Sequence, residues 1–81
     1  MVTEKSNASG YAVIFENAGR NWSAYVPDLP GCITTGKTLE DTRKNIAEAI
    51  QAHIAFLRRH GDPVPEPTTR AALRNRRLNG K

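Results

Sequence analysis

Eighty-one residues with one cysteine, Cys32, and two histidines, His53 and His60, make one small domain. That inventory excludes an internal disulfide and a zinc ligand set, so a partner chain is the remaining source of extra stability for so small a core. The formal net charge of +4 belongs to the end of the chain: residues 1–67 carry seven basic and eight acidic side chains, whereas 68–81 carry five basic ones and no acid. The body is close to neutral, which excludes calling it a nucleic-acid-binding surface on charge alone.

Met1–Ser9 is polar and without periodicity, and is predicted to be disordered. Gly10 then opens a run in which Tyr11, Val13 and Phe15 share one face and Ala12, Ile14 and Glu16 the other, the period of a strand. Asn17-Ala18-Gly19-Arg20-Asn21 is turn-forming. Trp22-Ser23-Ala24-Tyr25-Val26 alternates again, so the two runs predict a β-hairpin.

Pro27-Asp28-Leu29-Pro30-Gly31-Cys32 follows as a rigid corner. The prolines fix φ and push Val26 and Leu29 towards extended conformations, and Pro30-Gly31 suits the two central positions of a type II turn. Cys32-Ile33-Thr34-Thr35, stopped by Gly36, is the expected third strand, completing a meander.

Thr38 is placed to cap a helix whose first turn carries Glu40 and Asp41, acids that suit the positive end of the helix dipole. Leu39, Ile46, Ile50, Ile54 and Leu57 recur at helical spacing as one apolar stripe, while Arg43, Lys44, Gln51 and Arg58 are expected to face water. Arg58-Arg59-His60 puts positive charge on the last turn, and Gly61 suits a left-handed cap. The segment Asp62-Pro63-Val64-Pro65-Glu66-Pro67 loses N–H donors from one edge only. It reads either as an edge strand or as a polyproline-like linker. The expected order is β-β-β-α-β: an α+β fold with a three-stranded antiparallel sheet, an edge strand, and one long helix on one face. It occupies residues 10–67, with 68–81 as a basic tail.

Taken together, Trp22-Ser23-Ala24-Tyr25-Val26, Pro27-Asp28-Leu29-Pro30-Gly31-Cys32, Gly36-Lys37-Thr38-Leu39-Glu40-Asp41, Asn45-Ile46-Ala47-Glu48-Ala49 and Gly61-Asp62-Pro63-Val64-Pro65-Glu66-Pro67 resemble the HicB-type antitoxin family over most of Tyr11 to Pro67. The resemblance implies a truncated ribonuclease-H-like fold without catalysis or cofactor. It implies a role in neutralising a small HicA-type, RNA-cleaving toxin, together with homo-oligomerisation (dimer or tetramer) and autorepression of the operon. The pattern departs from the family at Asp41-Thr42, where Glu-Ala is more usual. The 14 residues after Pro67 are also too few for the ribbon-helix-helix or helix-turn-helix domain that many members carry for operator DNA.

Against these readings stands a nuclease built on Glu16, Asp28, Glu40, Asp41 and Glu48, which would need carboxylates converging on metal ions. The helix start accounts for Glu40 and Asp41, and the turn accounts for Asp28. Cys32 reads as a small buried hydrophobe. Trp22 and Tyr25 point to opposite faces of one strand, so one packs under the helix and the other is available to a partner, with Asp28 and Leu29 held at the rim of the corner. Arg70, Arg74, Arg76, Arg77 and Lys81 make the tail a candidate for an acidic or nucleic-acid surface. The lone cysteine and the lack of a signal peptide or apolar span predict a cytoplasmic protein with no membrane association.

Overall fold

A computed structural model describes residues 2–5 and 10–67. The first alternating run becomes a strand, β2 (Ala12–Asn17), that pairs antiparallel with β3 (Trp22–Tyr25) in the register Phe15↔Ala24 and Asn17↔Trp22. Asn17 helps close the hairpin: its Oδ1 accepts the Gly19 N–H at 2.8 Å, and Ala18 N–H donates to Asn21 O at 2.7 Å. Gly19 takes φ +96° there, a conformation that favours glycine.

The corner is two turns in succession. Leu29 N–H donates to Val26 O and Cys32 N–H to Leu29 O, each at 3.0 Å, and Val26 N–H closes the base on Cys32 O at 3.1 Å. Gly31 sits at φ +88°, the value a type II turn requires after Pro30. The chain then returns as β4 (Ile33–Gly36), antiparallel to β3. Gly36 passes so close to the helix that a Cβ there would lie 2.8 Å from Thr42 N and 3.0 Å from its Cα.

The helix α1 (Leu39–Arg59) starts where expected. Thr38 Oγ1 accepts the Asp41 N–H at 3.0 Å, and Glu40 and Asp41 lie in the first turn. It ends in a Schellman arrangement: Gly61, at φ +72°, donates its N–H to Arg58 O at 3.1 Å, and Asp62 N–H donates to Leu57 O at 2.8 Å. Ile46 and Ile50 of α1 are buried against Tyr11, Val13, Phe15, Ala24, Val26, Leu29 and Cys32. Leu39, Ala49, Ile54 and Leu57 pack around them. Thr42 joins this interior without an orphan hydroxyl, because its Oγ1 donates to Thr38 O at 2.7 Å. Each large aliphatic or aromatic side chain removed from water here is worth about 1.5–3 kcal/mol.

The sheet has a fourth strand, but it comes from the other end of the chain. Val2–Lys5 forms β1, antiparallel to β2 in the register Val2↔Phe15 to Lys5↔Ala12. The order in the sheet is β1-β2-β3-β4. This corrects the expectation that the first residues are wholly irregular and that the proline segment supplies the edge strand. The free side of β2 is taken by four residues that keep all their N–H groups, whereas three prolines strip donors from 63–67. That segment instead runs irregularly beside the start of β2. There the buried Tyr11 donates its hydroxyl hydrogen to Pro65 O, and Pro67 lies next to Gly10.

Arg43 is exposed, as expected, and it also makes contacts. Its guanidinium clasps Glu4 of β1 and also reaches Glu40 at 3.2 Å. Among the described residues, no helix is long and apolar enough to cross a membrane.

Candidate functional site: the open face of the sheet

With α1 covering one face, the pleat sends every second residue to the other. Pairing fixes which ones. Thr3↔Ile14, Ile14↔Tyr25 and Tyr25↔Ile33 are direct cross-strand partners, so these four side chains form one continuous row across all four strands. Ile14 is half-buried, Tyr25 is 37% exposed and Ile33 is 63% exposed. The adjacent row, Glu16↔Ser23↔Thr35, is polar. The result is a small apolar centre with a polar border on the face away from α1, which is the anatomy of a protein–protein contact.

The strand β3 divides its two aromatic residues as the alternation requires. Trp22, paired with Asn17 and Gly36, packs against the core on the helix side, and Tyr25 faces out. Asp28 is half-buried in the corner. Leu29 does not stand at the rim as expected: it is fully buried, because the two tight turns fold its side chain inward as a plug for the core. Of the four residues singled out at the corner and strand, the structure brings only Tyr25 into an exposed apolar row. Ile14 and Ile33, its partners, were not singled out. The signal for them was the parity of Ile14 relative to Tyr11, Val13 and Phe15, together with the hairpin register. Arg70, Arg74, Arg76, Arg77 and Lys81 lie outside the described residues.

The β4 edge of the sheet is partly closed. Asn45 of α1 donates from Nδ2 to Thr35 O at 2.9 Å, occupying a carbonyl that another strand could otherwise use. Asn45 lies in the Asn45–Ala49 stretch, where its contribution is structural.

The titratable groups off this face are held by packing. Burial pushes the Cys32 thiol above its ordinary pKa, so it stays protonated and unreactive at neutral pH. Burial, followed by the charges of Asp28 and Glu66, also raises the Tyr11 hydroxyl, which keeps its proton for Pro65 O. His60 lies over Phe56, ring centroids 4.2 Å apart, with Nδ1 2.9 Å from Phe56 O, at the helix end rather than beside a nucleophile. Among the described residues, no three His, Cys, Asp or Glu side chains gather in a metal-binding arrangement.

Comparison with known proteins agrees with this architecture. The family model described as a HicB-like antitoxin of bacterial toxin-antitoxin systems matches residues 6–79. A UPF0150 protein of Thermoplasma acidophilum is 50% identical over 40 residues, 49% of this chain and 58% of that protein. A UPF0150 protein of Synechocystis is 37% identical over 57 residues, 69% of this chain and 72% of its own length. The chain thus spans less than two thirds of the Thermoplasma relative. The crystal structure of the N-terminal domain of the Burkholderia pseudomallei antitoxin HicB superposes with a TM-score of 0.63 at 28% identity, covering 84% of each chain. With the meander, the corner and the covering helix all in place, this chain belongs to the HicB-like antitoxins of bacterial toxin-antitoxin systems.

Proposed function

We propose that this protein neutralises a small HicA-type toxin by binding it on the open face of the sheet, with Tyr25 and Ile33 as the apolar anchors. The observation that carries the reading is the cross-strand row Ile14–Tyr25–Ile33, an exposed apolar centre on a face that the chain's own helix leaves uncovered. A tyrosine brings a large, rigid contact area with a polar tip, the kind of side chain that dominates binding energy at interfaces. The corner and the hairpin hold the row in register, so little ordering is needed on association. The protein contributes no reaction of its own in this reading. It occludes the toxin's working surface by shape.

The test is co-expression with a HicA-type toxin, taken from the same operon if one is found there, followed by co-purification. Growth should be rescued by the wild-type chain and not by one carrying Tyr25→Ala with Ile33→Asp. Unrelieved toxicity with the wild-type chain sinks the antitoxin reading. Full rescue by the double variant sinks the placement of the site.

A second role rests on the five basic residues and no acid of 68–81. Through them the protein would contact nucleic acid and contribute to repression of its own operon. Counterion release then predicts binding that weakens steeply with salt. Binding that survives deletion of 68–81 excludes this role.

A further inference from the structure

The side of α1 that points away from the sheet has a pattern of its own. Glu48, Ala52, Ala55 and Arg59 are all exposed and recur at intervals of four, three and four residues, the spacing of a coiled-coil seam. Beside them Phe56 is 54% exposed, outside the core cluster, with its ring against His60. An aromatic ring left in water next to such a seam is the kind of side chain that a helix–helix contact covers.

The charges say which helix. Glu48 and Arg59 are 11 residues apart, or about 16 Å along the axis at 1.5 Å per residue, so they cannot meet within one chain. A two-fold axis passing between His53 and Ile54 changes that. It sets Glu48 opposite Arg59 of a second copy, Ala52 opposite Ala55, and Gln51 opposite Phe56, and each relation occurs twice. The two alanine positions at the crossing allow the axes to approach near the short end of the usual 8–10 Å range. The phenylalanines close over the flanks, and an ion pair sits at each end. Self-complementarity of this kind is what an isologous dimer contact needs.

We propose that the outer face of α1 is an antiparallel two-fold interface with a second copy of this chain, built on Phe56, Ala52 and Ala55 and set in register by Glu48 and Arg59. The arrangement does not rest on the toxin-binding reading. It is compatible with it, because two domains joined through their helices turn both open sheet faces outward.

The test is sedimentation equilibrium on the full chain, with wild type, Glu48→Arg, Arg59→Glu and the double exchange Glu48→Arg/Arg59→Glu. Both substituted positions are exposed, and circular dichroism checks that each variant is folded. The wild type should be dimeric at about 100 μM, where a contact of micromolar Kd is nearly saturated. Each single exchange places two like-charged pairs across the axis and should weaken the dimer about tenfold, and the double exchange should restore it. A monomeric wild type overturns the proposal. So does a dimer indifferent to the single exchanges, which would place the contact elsewhere, or a double exchange that fails to recover.

Discussion

Arg43 closes a two-pronged ion pair on Glu4, with Nε 2.9 Å from Oε1 and Nη2 2.7 Å from Oε2, and so ties the first strand to the first turns of the helix. The parallel geometry is the strong form of the arginine–carboxylate contact. Both side chains remain partly exposed, so water and salt screen it. Its effect is local. Arg43→Met should speed hydrogen exchange at the amides of β1 and leave the amides shared by β2 and β3 nearly unchanged. Equal acceleration throughout the sheet would mean that the pair supports global stability instead.

The same pair sets an acid limit. The hydrogen bond from Arg43 holds the Glu4 carboxyl below its ordinary pKa, more than offsetting the opposing effect of burial. A carboxyl lowered in the folded state contributes stability that is fully present above the unfolded pKa, about 4.3 for glutamate. That contribution fades as pH falls through the lowered folded value. Below that pH, β1 should exchange as fast in the wild type as in Arg43→Met, and the difference between them should shrink in high salt at neutral pH.

Leu29 is fully buried within a corner otherwise made of turn residues. Leu29→Ala should therefore cost about 2–5 kcal/mol, the range for truncating a buried leucine whose site cannot collapse. The turns that hold it resist collapse, which favours the upper half. Chemical denaturation measures the loss, and a cost under about 1 kcal/mol would show that the corner relaxes to fill the space.

How far the sequence revealed this depends on the reach of each rule. The hairpin, the type II turn at Pro30-Gly31, the Thr38 cap and the Gly61 stop are set by neighbouring residues and were legible. Val2–Lys5 was not, because four residues with one large apolar side chain carry no alternation of their own. They become a strand only because the edge of β2 is free and Glu4 can reach Arg43. The proline segment misled for the converse reason: its pattern of missing donors permits an edge strand but cannot create a vacancy. At the face itself, parity separated Trp22 from Tyr25, but only pairing decided which one lies under the helix. Ile33 went unnoticed because a β-branched run reads as buried from sequence, and β4 leaves that position 63% exposed.

Gly36 lies where sheet and helix come close together. It needs no positive φ, so the constraint is space alone: a methyl group there would press on the backbone of Thr42, 2.8 Å from its nitrogen. Backbone in a capped first turn cannot rotate aside as a side chain would. Gly36→Ala should destabilise by about 1–3 kcal/mol through overpacking, although alanine otherwise suits a strand better than glycine. Thermal melts decide it, and a variant as stable as wild type would show that α1 can lift from β4 freely.

Tyr25 separates binding from folding more cleanly than any other residue of the sheet. Its ring lies on the face away from α1, between Ile14 and Ile33, so truncating it leaves the core side of β3 intact. Tyr25→Ala should lower the stability of the free protein by no more than about 1 kcal/mol, the scale of a lost cross-strand pair. Toxin binding should suffer far more, by about 2 kcal/mol or above, as for a central aromatic anchor. Ile33→Asp should act in the same direction, because a charge placed in the middle of the contact has to be desolvated without a partner. Calorimetric titration of the purified toxin into each variant, beside a denaturation curve for the same preparation, gives both numbers. If binding and stability fall in parallel, the row serves the fold and the toxin sits elsewhere. If stability holds while binding drops about thirtyfold or more, the open face is the contact surface.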